Sequence, residues 1–259
     1  MVLRTVDGWY GTPQAKAQLT ERTMGDGAYA PMEPISYAAR TVTLGVTANA
    51  QTDAEAAAVM DSLSAFAGKM CRIAISDSGR PETEAHGYVE AAWEKGPYRA
   101  ACDGTLTIVC PDPRRYGTDT LSATLVPGGN ADGGLDLTEE RLAWPLAWGE
   151  SAASHSVATL HNAGTAVACP TISIRGDISD VTIAEPATGR ELSISGYIGW
   201  QPIVLDCLSR TASIGGVDVT RRLGRRDFPS IAPGGDTTLA LMCSGTNGSV
   251  SIEWHDTYI

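Results

Sequence analysis

VTLGVTANAQTDAEAAAVMDSLSAFAG, Val42 to Gly68, changes its hydrophobic period midway. Val42, Leu44 and Val46 alternate with Thr43, Gly45 and Thr47, the pattern of a strand with one buried face. Past Gln51 the period lengthens. Val59, Leu63 and Phe66 recur at helical spacing, Thr52 and Glu55 stand three apart as a capping box, and Gly68 supplies a stop. The stretch predicts a strand feeding one amphipathic helix laid on an apolar surface.

Outward from this stretch the chain reads as strands. Ile73 and Ile75, then Val89, Ala91 and Trp93, then Leu106, Ile108 and Cys110 alternate with polar neighbours. The second half repeats the pattern with Ile172 and Ile174, Leu192 and Ile194, Val204 and Leu208, Leu239 and Leu241, and Val250 and Ile252. Gly215-Gly216 and Asn247-Gly248 fall between such runs, where tight hairpins need positive φ. The predicted fold is mainly β and antiparallel, with a single α-helix. PGGNADGG, Pro127 to Gly134, has glycines without apolar periodicity and marks a linker. Two domains follow, residues 1–130 with the helix and residues 131–259 all β.

Composition narrows the function. The 259 residues are 43% hydrophobic, enough for a real core, and the formal net charge of -11 opposes general attraction to nucleic acid or an anionic membrane. No run approaches eighteen apolar residues, and MVLRTVDGWYG has no apolar signal region, so a soluble protein without a membrane span or secretory signal is expected. The six cysteines are scattered without C-x-x-C spacing and read as reduced core residues of a protein made in a cytoplasm.

Catalytic signals are missing. The four histidines have no metal-ligand spacing, so no metal and no cofactor is expected. His155 lies between serines but outside any G-x-S-x-G elbow; Glu139-Glu140 and Glu82 with Glu84 lack an aromatic platform; no Walker loop occurs. No catalytic residue is named. Two arginine clusters stand out: Arg114 and Arg115 in CPDPRRYG, and Arg221, Arg222, Arg225 and Arg226 in VTRRLGRRDF. Such planar donors pair with carboxylates across a subunit interface, or they line a solvated loop.

The order of motifs resembles a known family. Trp9-Tyr10-Gly11, the strand VTLGVTANA with its helix, GYVEAAWE (Gly87 to Glu94) and the strand ending in CPDPRRYG resemble the N-terminal ring domain of siphophage distal tail proteins, the Dit family. LHNAGTAVACPTISIRGD, IVLDCLSRTASIGGVDVTRRL, FPSIAPGG and GSVSIEWHDTYI are similar to that family's second domain, with Ile231 where its loop often carries Leu. The resemblance implies an N-terminal β-sandwich or split-barrel ring domain and a C-terminal galectin-like β-sandwich. It implies a structural virion protein of the tail tip, assembled in the host cytoplasm as a homo-hexameric ring. Implied partners are the tail tube protein, the tail-tip hub or tail-associated lysin, and receptor-binding proteins or side fibres, with DNA passing through without specific binding. Subunit-interface residues would be Trp9, Tyr10, Arg114, Arg115, Arg221, Arg222, Arg225 and Arg226. The rival reading is a carbohydrate- or receptor-binding β-sandwich, with Trp144, Trp148 and Trp200 as stacking candidates.

Overall fold

The structure is a computed structural model and describes residues 2–17, 19–29, 35–95, 101–127 and 156–259. The stretch 128–134 within the expected linker, Glu139-Glu140, Trp144, Trp148 and His155 lie outside the described residues. Met1–Thr118 with Tyr258–Ile259 form one compact unit, and Asp119–Thr257 form a second.

In the first unit the elements are β1 (Val2–Asp7), the ribbon β2 (Thr20–Glu21) and β3 (Ala28–Tyr29), β4 (Arg40–Asn49), α1 (Asp53–Ser64), β5 (Met70–Asp77), β6 (Arg80–Lys95), β7 (Ala101–Cys110) and β8 (Arg115–Gly117). The main sheet runs β1-β4-β7-β6-β8, with β5 on β6. Register places Val42, Ile108 and Val89 in one row and Leu44, Leu106 and Ala91 in the next, so residues of one parity share an apolar face. Thr43, Thr107 and Glu90 line the other face. The two-residue period has become one buried and one polar side.

The helix caps as read from the sequence. The Glu55 N–H donates to Thr52 Oγ1 at 3.2 Å, and the Gln51 N–H donates to Glu55 Oε2 at 2.9 Å. Its packing face is shorter than expected. Ala56 is buried, Val59 and Met60 pack beside Ala48 and Cys102, and Leu63 reaches the main core, but Phe66 is 53% exposed. The helix stops at Ser64, and the chain turns so that the Gly68 N–H donates to the Val89 carbonyl, which takes Phe66 off the helical face.

In the second unit the strands are β9 (Leu121–Leu125), β10 (Val157–Asn162), β11 (Thr171–Glu185), β12 (Arg190–Asp206), β13 (Thr211–Ile214), β14 (Val217–Asp218), β15 (Leu223–Arg226) and β16 (Gly235–Trp254). A last strand, β17 (Thr257–Tyr258), follows β8 in the order of the first sheet. The seam expected near residue 130 falls earlier, between Thr118 and Asp119. The reason is β9, which pairs with the end of β16 from Leu121↔Trp254 to Leu125↔Val250 and buries Leu125 completely.

β11, β12 and β16 are long, and one row of glycines crosses all three: Gly176 pairs with Gly199 on one side and with Gly248 on the other. Register shifts cluster around this row. Gly176 has φ +124°, and a Cβ there would come 2.3 Å from Gly248 Cα, so the backbones approach too closely for any side chain. Ile172 and Ile174 from one half of β11 and Val181 and Ile183 from the other join a single core with Leu160, Leu192 and Leu239.

Two readings change here. Asn247-Gly248 makes no hairpin; it lies inside β16, at the glycine row, because a local bend and a turn ask for the same residues. Val204 and Leu208 are not the inward pair, since Ile203, Leu205 and Cys207 are buried and Leu208 is exposed. The run IVLDCL is apolar at both parities, and the turn at Asp206, whose carboxylate accepts the Leu208 and Ser209 N–H groups, sets the phase. Gly215-Gly216 does make the expected two-residue hairpin, at φ +55° and +84° between Ile214 and Val217.

Asn162 ties the loops of this unit together. Fully buried, it donates through Nδ2 to the carbonyls of Ala166, Ile231 and Ala232 and accepts through Oδ1 from the N–H groups of Gly164 and Thr257. The motif residues Trp254 and Asp256 act beside it: the indole donates to the His161 carbonyl at 2.7 Å, and the carboxylate accepts the Ala163 N–H at 2.8 Å. All six cysteines are unbridged; Cys102, Cys110 and Cys207 are buried and the others half-buried.

Candidate assembly interface

The first cluster grows from the turn after β1. Gly8 takes φ +77°, and a Cβ on it would lie 2.1 Å from the Thr41 carbonyl oxygen, so only glycine lets the chain pass this close to β4. The turn delivers Trp9 into the core at 1% exposure. Arg40 opens β4 with the parity of Val42 and is likewise 1% exposed. Its Nη1 donates to the carbonyls of Gly8, Trp9 and Gly11 at 2.8, 2.9 and 2.8 Å, and its Nε donates to Pro113 at 2.9 Å. Peptide dipoles take the place of a carboxylate around this charge. Burial, with Arg115 nearby, holds the pKa of Arg40 down at about 10.

Arg115 lies beside this knot at 8% exposure. Its guanidinium stands 5.6 Å from the Trp9 ring and 5.9 Å from the Tyr258 ring, within cation–π range. Burial first, and Arg80 second, hold its pKa below the usual arginine value. Arg80, exposed at the start of β6, stacks 4.8 Å from the Tyr10 ring, and the Tyr10 hydroxyl donates to Asp77 Oδ2 at 3.2 Å. Asp112 accepts from the Arg114 N–H at 3.0 Å and the Tyr116 hydroxyl at 2.5 Å, and burial with this carboxylate pushes the Tyr116 phenol up.

The arginines of the second cluster are half-buried or exposed and tied to their own unit. Arg222 Nη2 donates to the Tyr197 carbonyl at 3.2 Å, Arg225 Nε meets Glu191 at 3.2 Å, and Arg226 Nε donates to the Leu223 carbonyl at 3.4 Å. Arg221 is exposed.

Of the expected interface residues, then, the fold brings Trp9, Tyr10 and Arg115 together. Trp9 and Arg115 are committed to internal packing, while Tyr10 and the second cluster remain at the surface. Sequence reading missed Arg40 and Arg80. For Arg40 the signal was there: a charge in phase with Val42, Leu44 and Val46 has to be satisfied inside. Arg80 carries no such signal, because its role depends on Tyr10, seventy positions away in the chain.

Elsewhere in the first unit an apolar groove of about 330 Å³ opens between Leu63, Phe66, Cys71, Ile73 and Leu106, without a catalytic group pair. On the polar face Arg4 pairs with Asp103 at 2.8 Å, and Thr47 donates to the same carboxylate, holding its pKa below the usual range. Among the described residues no group of three potential ligands is placed to hold a metal ion, and no helix is long and apolar enough to cross a membrane.

No protein-family model matches the chain, and no curated protein matches its sequence. Solved structures do match. The phage P2 baseplate in its activated conformation with Ca aligns over 97% of this chain and 89% of that chain at 9% identity, with a TM-score of 0.46, too low to carry an argument. The Dit protein of SPP1, described as a paradigm of the hub adsorption apparatus in phages infecting Gram-positive bacteria, aligns over 100% of this chain and 93% of that chain at 15% identity and TM-score 0.67. Over its whole length the chain therefore shares the fold of the SPP1 Dit protein.

Proposed function

We propose that this protein is a structural component of a phage tail tip, a distal tail protein that closes into a homo-hexameric ring and joins the tail tube to the hub and adhesion apparatus. The observation that carries this reading is the end-to-end likeness to SPP1 Dit, which covers both units in one chain rather than a single common sandwich. The acidic balance of the chain supports a conduit for DNA, since a wall without excess Lys and Arg gives phosphates no counterion-releasing contacts. Its work is scaffolding, with no reaction assigned. Negative-stain imaging and sedimentation of the purified chain, alone and with tail-tube and hub proteins, test it. Rings of about six copies are expected; a chain that stays monomeric and joins neither protein overturns it.

A specific observation also favours the rival reading. Tyr197 and Trp200 lie three residues apart on β12 at 60% and 61% exposure, and the nearby Asp177 carboxylate pushes the Tyr197 phenol pKa up. Exposed aromatics near a carboxylate can stack on sugar rings. A glycan-array screen of wild type against Trp200→Ala decides it: binding that is lost in the variant supports a carbohydrate site, and no binding removes it.

A further inference from the structure

Three arginines of the first unit, Arg40, Arg80 and Arg115, gather around Trp9 and Tyr10, and two aspartates of the cluster, Asp77 and Asp112, already accept hydrogen bonds. Asp77 accepts the Tyr10 hydroxyl, and Asp112 accepts the Tyr116 hydroxyl and the Arg114 N–H. Among the described residues, Arg40 Nη2 and Arg115 Nε are buried donors without a partner. Arg80 is exposed, makes no ion pair among the described residues, and is held against the Tyr10 ring, so its planar fork is ordered before anything binds.

We infer that Arg80, stacked on Tyr10 and backed by Arg115, is a docking site for a carboxylate side chain of a second copy of this chain. Charge complementarity names the occupant: each copy brings thirty acidic residues against nineteen basic ones, and a guanidinium fork takes a carboxylate with two parallel hydrogen bonds. Arg115 does not touch the incoming group. It raises the potential behind Tyr10 from a poorly solvated position, where charge is felt more strongly than in water. Burial first, and the charge of Arg80 second, hold the pKa of Arg115 down, which agrees with a poorly solvated guanidinium close to Arg80. This inference rests on the self-assembly proposed above and deepens it by naming a contact.

The test uses full-length protein. Arg80→Lys leaves a primary amine at the site. Carbodiimide couples an amine only to a carboxylate in direct contact, and a mixture of nitrogen-15-labelled and unlabelled copies separates links between copies from links within one. The expected product joins position 80 of one copy to an Asp or Glu of the other isotope. In parallel, Arg80→Glu weakens self-association at least tenfold at about 50 mM salt, with a smaller effect at about 500 mM, where screening is strong. An oligomer that yields only the internal link to Asp77, or whose dissociation constant ignores Arg80→Glu, overturns the site and leaves self-assembly standing. A monomer under all conditions overturns both.

Discussion

The guanidinium of Arg40 donates to the main-chain carbonyl of Pro113 at 2.9 Å, and by that bond the segment CPDPRRYG is held against the turn at Trp9. Two segments about a hundred residues apart are thus positioned by one side chain that neither contains.

Arg40→Met fills similar space but leaves the carbonyls of Gly8, Trp9, Gly11 and Pro113 without their donor. Thermal and urea unfolding are expected to show a loss of roughly 3–5 kcal/mol, at the upper end for single substitutions. Arg40→Lys keeps a charge yet cannot reproduce the two-directional fork, and falls between wild type and Arg40→Met. A stability equal to wild type for the methionine variant contradicts the role given to these four bonds.

Gly176→Ala forces a Cβ against Gly248 Cα and is expected to cost about 3 kcal/mol or more, whereas Gly216→Ala, at positive φ but with open space around it, costs about 1 kcal/mol. Unfolding midpoints in urea separate them. Equal losses would mean that conformational preference alone, and not the close approach of β11 and β16, governs the glycine row.

Phe66→Ser is expected to change stability by less than about 0.5 kcal/mol, because more than half of the side chain already meets solvent. Leu63→Asp, which places a charge beside the main core, costs about 2 kcal/mol. The ratio of the two losses, read from paired melts, checks where the helix ends its packing.

Burial pushes the Cys207 and Cys110 thiols above their usual pKa of about 9. The unfolded chain therefore gives up these protons first as pH rises, and the folded state binds more of them. Their contribution is intact below pH 9 and is lost above it. Melting temperatures measured from pH 7 to pH 10 should fall beyond pH 9, and Cys207→Ala should lower the curve at pH 7 by lost packing while flattening that fall. An unchanged slope in the variant would exclude the thiol as its source.

Much of this architecture could be read from the sequence, for reasons visible in particular residues. Val42, Leu44 and Val46 alternate cleanly against threonines and a glycine, so their parity was fixed before any partner strand was known. IVLDCL offers apolar residues at both parities, and only the turn at Asp206 decides that Leu205 and not Val204 points inward. Asn247-Gly248 has the chemistry of a turn, but pairing with β11 on both sides keeps it in a strand. In the candidate interface, Trp9 and Arg115 could be picked out by residue type. Their burial, and the stacking of Arg80 on Tyr10, depend on contacts that no local pattern encodes.

Tyr258–Ile259 belong to the first unit although nearly all of that unit is synthesised before residue 119. During translation, Arg115 waits for one of its two aromatic neighbours until the whole second unit has been made. Closure of this corner is a contact of very long sequence separation, and such contacts form late. A nascent chain stalled in the second unit would present an unfinished first unit, with Arg115 lacking Tyr258. Completion of the first unit thereby reports that the second unit has been delivered.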